Sequence, residues 1–228
     1  MKKLLCLLIL CMGVLHAQAQ PTGNDDVPDA RKKVTLSSGL EGSILQFARL
    51  TSGNLTYKTI PRYTYFFNTG VDIDFHAHKN VLLYTGFQLK NIGMITAVND
   101  SIRYKERVYT IGAPAGIKLL SSNKKLMLKF GADIALAFNY KRKHFLNGDK
   151  IYKYNEFFSS KANLMFASAF AGIIFHGVSL TGNYYLTNFY NPSTNLAVGR
   201  LYTISLGLHF DNELITPSKT KTEKRRLY

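Results

Sequence analysis

The chain has 228 residues, 46% of them hydrophobic and 19% charged, with a formal charge of +15. This composition excludes a disordered polymer, and the length requires no more than one domain of ordinary size or a single barrel. Fourteen Tyr and fifteen Phe with no Trp lean towards β structure.

Residues 1–20, MKKLLCLLILCMGVLHAQAQ, have the three parts of a cleavable secretory signal. Lys2 and Lys3 open it, an apolar run extends to about Leu15, and Ala17-Gln18-Ala19 supplies small residues for a cut after Ala19. The apolar run is shorter than the roughly 18 residues a spanning helix needs. Residues 1–19 are therefore expected to be a signal peptide. Cys6 and Cys11 both lie inside it, which leaves no disulfide framework in the exported chain. The first twenty residues contain two lysines and no acid, so their loss lowers the charge from +15 to +13. In an exported chain such an excess suits anionic lipid or a cell-surface polymer, not nucleic acid.

Residues 20–38 are polar without a period and read as a flexible leader. Residues 39–211 then carry one run of alternating segments, and residues 212–228 form a basic tail. The clearest alternation is KLMLKFGADIALAFNY: Leu126, Leu128, Phe130, Ala132, Ile134, Leu136, Phe138 and Tyr140 share one parity. Met127, Lys129, Gly131, Asp133, Ala135, Ala137 and Asn139 share the other. This is the period of a β-strand.

Eight strands are predicted, at 40–50, 62–76, 81–95, 102–119, 125–141, 155–175, 178–189 and 199–211. Connections at 76–80, 120–124 and 176–177 are short. Those at 51–61, 96–101, 142–154 and 190–198 are mostly longer and rich in Asn, Ser, Gly, Lys and Pro. An antiparallel up-and-down transmembrane barrel with an even number of strands has this asymmetry, with short periplasmic turns and longer outer loops. A soluble lipocalin-like carrier alternates too, with the apolar face inside. Three features favour the membrane: strands of about ten residues or more, small and charged residues on the polar parity, and tyrosines on the apolar parity near the longer loops. The tyrosines are Tyr63, Tyr65, Tyr109, Tyr140, Tyr184 and Tyr202, placed as an interfacial girdle. Pro114 lies within a predicted strand, where it removes a ladder donor and should force a bulge.

The segments FFNTGVDIDF, YTGFQLKNIGMI and IRYKERVYTIGAPAGIKL resemble the small outer-membrane β-barrel proteins of Gram-negative bacteria described as porin-family or PorT-like. The resemblance rests on Gly86 with Lys90-Asn91-Ile92-Gly93, and on Arg103, Lys105 and Arg107 leading into Thr110-Ile111-Gly112-Ala113-Pro114-Ala115-Gly116. It implies an eight-stranded barrel in the outer membrane without established enzymatic activity, and a Pro at position 114 as a family feature. The PorT branch further implies an accessory part in protein secretion.

Within VDIDFHAH, Asp72, Asp74, His76 and His78 are of the types that ligate divalent metals. Four ligands along one strand cannot close around one ion without partners from other strands. The expectation is instead a charge network in the lumen, Asp72, Asp74 and Asp133 against Lys90, Lys118 and Lys129, with no metal and no cofactor. A lumen of eight strands is just wide enough for side chains to fill, so a plugged barrel is expected. Arg103, Lys105, Arg107, Lys141, Arg142 and Lys143 are candidates for binding lipopolysaccharide phosphates or an acidic partner at the outer loops. A lipid-A-modifying enzyme would need a nucleophile and a positioned base, and no Ser with an orienting acid lies beside a suitable His. The expected role is structural or binding, in the cell envelope, with lipid, lipopolysaccharide or other envelope and secretion proteins as partners.

Overall fold

The computed structural model describes residues 34–52, 55–64, 67–194 and 198–211. The expected signal peptide with Cys6 and Cys11, most of the leader, Tyr65 and the basic tail lie outside these residues. Ten strands form one closed antiparallel sheet: β1 (Val34–Ser52), β2 (Leu55–Ile60), β3 (Phe67–His78), β4 (Val81–Ala97), β5 (Ile102–Leu120), β6 (Leu126–Leu146), β7 (Asp149–Phe157), β8 (Met165–Phe175), β9 (Val178–Tyr185) and β10 (Val198–Asp211). Pairing of β1 with β10, from Ser37↔Asp211 to Thr51↔Val198, closes the ring.

These ten segments make eight staves. The second is split into β2, which pairs with β1 and β4 near the upper rim, and β3, which pairs with the same two strands below. The sixth is likewise split into β7 and β8, both paired to β6. The fold is thus an eight-stranded antiparallel up-and-down barrel. Its lower rim holds the turns at 79–80, 121–125 and 176–177, and its upper rim those at 98–101 and 147–148.

Each interruption has a local cause. Pro61, just after β2, has no N–H to give to a ladder, and residues 61–64 leave β4 there while Arg62 still bridges to Gln46. At the other break Phe158 has φ 49°, and the chain departs between adjacent β6 residues. Phe158 N donates to Phe138 O at 3.1 Å, and Ala137 N to Leu164 O at 2.8 Å.

Several predicted boundaries move. Residues 34–38, read as leader, already belong to β1, and much of the predicted loops 51–61 and 142–154 is strand. The β6–β7 connection is only Asn147-Gly148, with φ 49° and 94°, a two-residue hairpin of the kind Asn-Gly favours. Pro114 forces no register shift. The β4–β5 ladder instead lapses between Thr85↔Ala115 and Gln88↔Gly112, where the Thr85 hydroxyl donates to Pro114 O at 3.0 Å.

The outward face is apolar around the full ring. Leu36, Ile73, Leu83, Phe87, Ile117, Phe130, Ile134, Ile173, Leu180, Leu206 and Leu208 are all exposed, and every stave carries at least one of them. Their staves neighbour one another without a break. A continuous apolar belt is far larger than the patches water-soluble monomers leave open, and it fits a lipid-facing barrel wall. Aromatic rings mark its upper edge: Phe47 stacks on Tyr202 at 5.1 Å, Tyr202 meets Tyr184 at 5.2 Å, and Tyr109 meets Phe138 at 6.2 Å.

Inside, three tiers fill the barrel. A lower apolar plug of Leu82, Leu120, Met127 and Ile174 lies under a charged middle tier. An upper apolar core includes Leu50, Ile92, Met94, Val108, Phe166, Phe189 and Leu201. The remaining cavity at the charged tier is about 50 Å³, room for a few waters. This corrects the lipocalin-like alternative, which needs an apolar, open interior. Tyr140 also departs from expectation: a bulge sets Tyr109 opposite Asn139 and Thr110 opposite Ala137, skipping Phe138. Parity reverses above it, so Tyr140 turns inward and is buried.

Candidate functional site

The charged tier is built by alternation on β3, β4, β5 and β6. Asp72 and Asp74 point inward from β3, between outward Val71, Ile73 and Phe75. Lys118 on β5 sits directly opposite Lys129 on β6, a like-charge pair that would repel if left alone. Asp72 holds both, at 3.0 Å to Lys118 and 2.8 Å to Lys129. Lys118 also reaches Asp74 at 2.6 Å and donates to Ser37 Oγ at 2.8 Å, while Ser37 donates to Asp74 at 2.5 Å. Lys90 pairs with Asp133 at 3.0 Å. The Tyr84 ring lies under both Lys118 and Lys129, at 4.8 and 4.7 Å, adding cation–π attraction in a site nearly dry.

The structure therefore brings all six predicted lumenal residues into two ion-paired groups. The histidines stay apart from them or add no ligand set. His76 lies within hydrogen-bond distance of Thr35 Oγ1 at 3.0 Å, His78 and His176 sit at lower turns, and His144 stacks on Tyr104 at 4.6 Å. His209 lines the small cavity, and no cluster of metal-ligand residues occurs among the described residues.

The predicted cations on the upper strands separate into two groups. Arg103, Lys105 and Arg107 face outward on β5. Lys105 lies opposite Lys143 and Arg107 opposite Lys141 on β6, whereas Arg103 lies opposite Phe145. Arg142 is a correction: the parity reversal at Phe138 turns it inward, over the Tyr104 ring at 4.2 Å and 3.6 Å from Glu106. Glu106, between cations in RYKER, is buried and accepts hydrogen bonds from Tyr140, at 2.5 Å, and from Tyr190. Sequence reasoning passed over it, although it shares a parity with Tyr104 and Val108.

Arg62 was also missed. Lys105, Arg107, Lys141 and Lys143 line an outward cleft of about 190 Å³ whose other wall is Arg62, Tyr63 and Thr64. Arg62 is only 2% exposed. Its guanidinium donates to Gln46 Oε1 and, at 3.1 Å, to Asn91 Oδ1. Gln46 Nε2 donates to Asn91 O at 2.8 Å, and Asn91 N to Asn68 Oδ1 at 2.9 Å. Side chains thus supply Asn91 with the partners that the split stave withholds. Pro61 in the preceding residue was the available signal of a break.

The cleft is strongly positive. Lys105 is held below the ordinary lysine range by burial first and then by Arg62, Lys143 and Arg107. Lys141 and Lys143 shift the same way, by burial and by the neighbouring cations Arg107, Lys150 and Lys153.

No protein-family model matches the sequence, and no curated protein does. Among solved structures, the chain is similar to neisserial surface protein A (NspA), with 12% identity, TM-score 0.42, and coverage of 78% of this chain and 99% of that one. It is also similar to Ail, the attachment invasion locus protein of Yersinia pestis, with 11% identity, TM-score 0.37, and coverage of 77% and 98%. A second structure of Ail, in complex with the heparin analogue sucrose octasulfate, gives 13% identity and TM-score 0.35 over 77% and 98% of the chains.

Proposed function

We propose that the protein is a small outer-membrane barrel of the bacterial envelope with a structural or binding role, its lumen closed to diffusion. The observation that carries this reading is the inverted distribution of polarity. Lipid-type residues ring the outside, while paired charges and two apolar tiers fill the inside. In this orientation the lower turns and the lower ends of β1 and β10 face the periplasm, and the extended upper strands project outward with their cations towards lipopolysaccharide or other envelope molecules.

Permeation requires a continuous aqueous path, and the two apolar tiers with paired charges between them support a lumen without one. Purified protein reconstituted into planar bilayers is expected to insert without stable conductance steps. A reproducible open channel would contradict the closed-lumen reading.

A secretion accessory role, PorT-like, is the second reading. It draws support from β7, whose partner among the described residues is β6 alone, leaving a strand edge beyond the apolar belt available to another chain. A gene deletion that stops secretion while leaving envelope integrity intact would favour this reading over the first.

A further inference from the structure

We infer that Arg49 and Arg200, on the outward face of the β1–β10 seam, hold the phosphate of an outer-leaflet lipid whose acyl chains lie along the wall below them. The inference rests on the outer-membrane reading and gives it a ligand chemistry and a place.

Charge is the first argument. Arg49 lies directly opposite Arg200, and both are exposed. Lys58, exposed as well, comes one step below the Leu50–Tyr57 pair, beside Arg49. Like charges opposite one another destabilise a sheet. In the lumen the same repulsion, Lys118 against Lys129, is met by Asp72. Here Arg200 donates to the Tyr184 hydroxyl, a neutral partner, and neither arginine makes an ion pair among the described residues. Residues 42–71 and 157–210, which include the strands around this row and the loops that join them, contain no Asp or Glu. Glu41, the acid nearest to Arg49 in sequence, lines the lumenal cavity and accepts from Thr181 at 3.1 Å. A phosphate between the two guanidinium groups would take the part that Asp72 takes inside, through charge-assisted bonds that suit Arg.

Height is the second. Two residues below Arg49 and Arg200, Phe47, Tyr202 and Tyr184 form one cross-strand row, with ring centroids 5.1 and 5.2 Å apart. Arg200 lies 5.9 Å from the centre of the Tyr184 ring. The cations thus stand about 7 Å above the aromatic edge of the apolar belt, at the level where headgroups meet water.

The shape of the wall beneath is the third. Gly182, two residues below Tyr184 in the belt, is exposed and sits between Ile204 on β10 and Ala171 on β8. A Cβ at Gly182 would meet only the Ala171 carbonyl oxygen, at 3.9 Å, so the surface dips there. Ile44, Ile204 and Leu206 are exposed beside the dip and on the neighbouring stave. An acyl chain descending from the arginines finds apolar side chains along its flank and open space over Gly182. A free anion gains nothing from that surface, so the occupant is a lipid.

The test uses the full chain folded in uncharged detergent micelles, titrated with diphosphoryl lipid A, with the same lipid dephosphorylated, and with inorganic phosphate. Diphosphoryl lipid A is expected to bind about tenfold or more tightly than either control, the scale of one charge-assisted hydrogen bond. It should also raise the urea midpoint of unfolding. Arg49→Gln/Arg200→Gln should lose both the preference and the rise. Lys79→Gln/Lys125→Gln removes as much charge at the lower rim and should keep both. If the double arginine variant does not fold, Arg49→Gln alone carries the test. Wild-type-like preference in the folded arginine variant would overturn the site. So would an equal loss in the lower-rim variant, or equal affinity for inorganic phosphate. These results leave the membrane reading in place, and that reading fails separately if the wild-type chain does not insert into bilayers.

Discussion

Replacing Lys118 with Met is expected to destabilise the barrel by about 3–5 kcal/mol, the range for removing one partner of a buried ion pair. Lys118 has no exposed side-chain surface, and neither does Asp74, which it contacts at 2.6 Å. Without the ammonium, Asp74 keeps the hydrogen bond from Ser37, and Asp72 keeps Lys129. Two carboxylates would then share a tier of the lumen with one lysine fewer, beside a cavity of only about 50 Å³. The methionine fits the volume, so the loss reports charge and not a cavity. The measurement is the urea midpoint of unfolding in micelles. Adding Asp74→Asn should recover a large part of the loss, since it removes the stranded charge. A Lys118→Met variant as stable as the wild type would show that the network contributes no more than space filling.

Replacing Ile134 with Lys is the second large effect. Ile134 is 59% exposed on the outward face of β6, opposite Ala113 and Ala167 and well below the Tyr109–Phe138 level. On a surface facing water an exposed Ile→Lys change is worth little, usually within about 0.5 kcal/mol. On a lipid-facing wall near the midplane it costs about 2–4 kcal/mol. Folding from urea into lipid vesicles separates the two. The lysine variant should lose stability on that scale, while Ile134→Leu should stay within about 1.5 kcal/mol of the wild type.

The parts of the fold legible in the sequence are those where two environments differ sharply across the wall. From Leu126 to Ala137, lipid on one side and a packed lumen on the other leave every residue a strict choice, and alternation follows. Asp72, Asp74, Lys90, Lys118, Lys129 and Asp133 were readable as inward charges for the same reason, although they pair in two groups and not in one network. Charges on the inward parity of a narrow barrel have little but each other to meet.

Above the belt that contrast disappears. Residues 139–157 meet water on the outside, both faces tolerate polar side chains, and the period that marks a strand fades. Loops were therefore expected where β6 and β7 continue upward to a two-residue turn. The bulge at Phe138 is the costlier omission, because a single skipped residue exchanges the faces. Tyr140 and Arg142 move inward, and Lys141 and Lys143 are left outward beside Arg107 and Lys105. Arg62 could not be placed by periodicity at all. It lies in a break between strands, and its relation to β4 and β5 depends on how residues 61–64 fold back across a gap in the ladder.

An inverted polarity puts the barrel's exposed apolar face in lipid. Single cysteines placed at positions 130–137, in a chain with Cys6→Ser and Cys11→Ser, can be spin-labelled and reconstituted into vesicles. Collision rates with oxygen, which concentrates in the bilayer, should then be high for labels replacing Phe130, Ala132, Ile134 and Leu136. They should be low for labels replacing Gly131, Asp133, Ala135 and Ala137. High oxygen access at the second set, or equal access at both, would contradict the account.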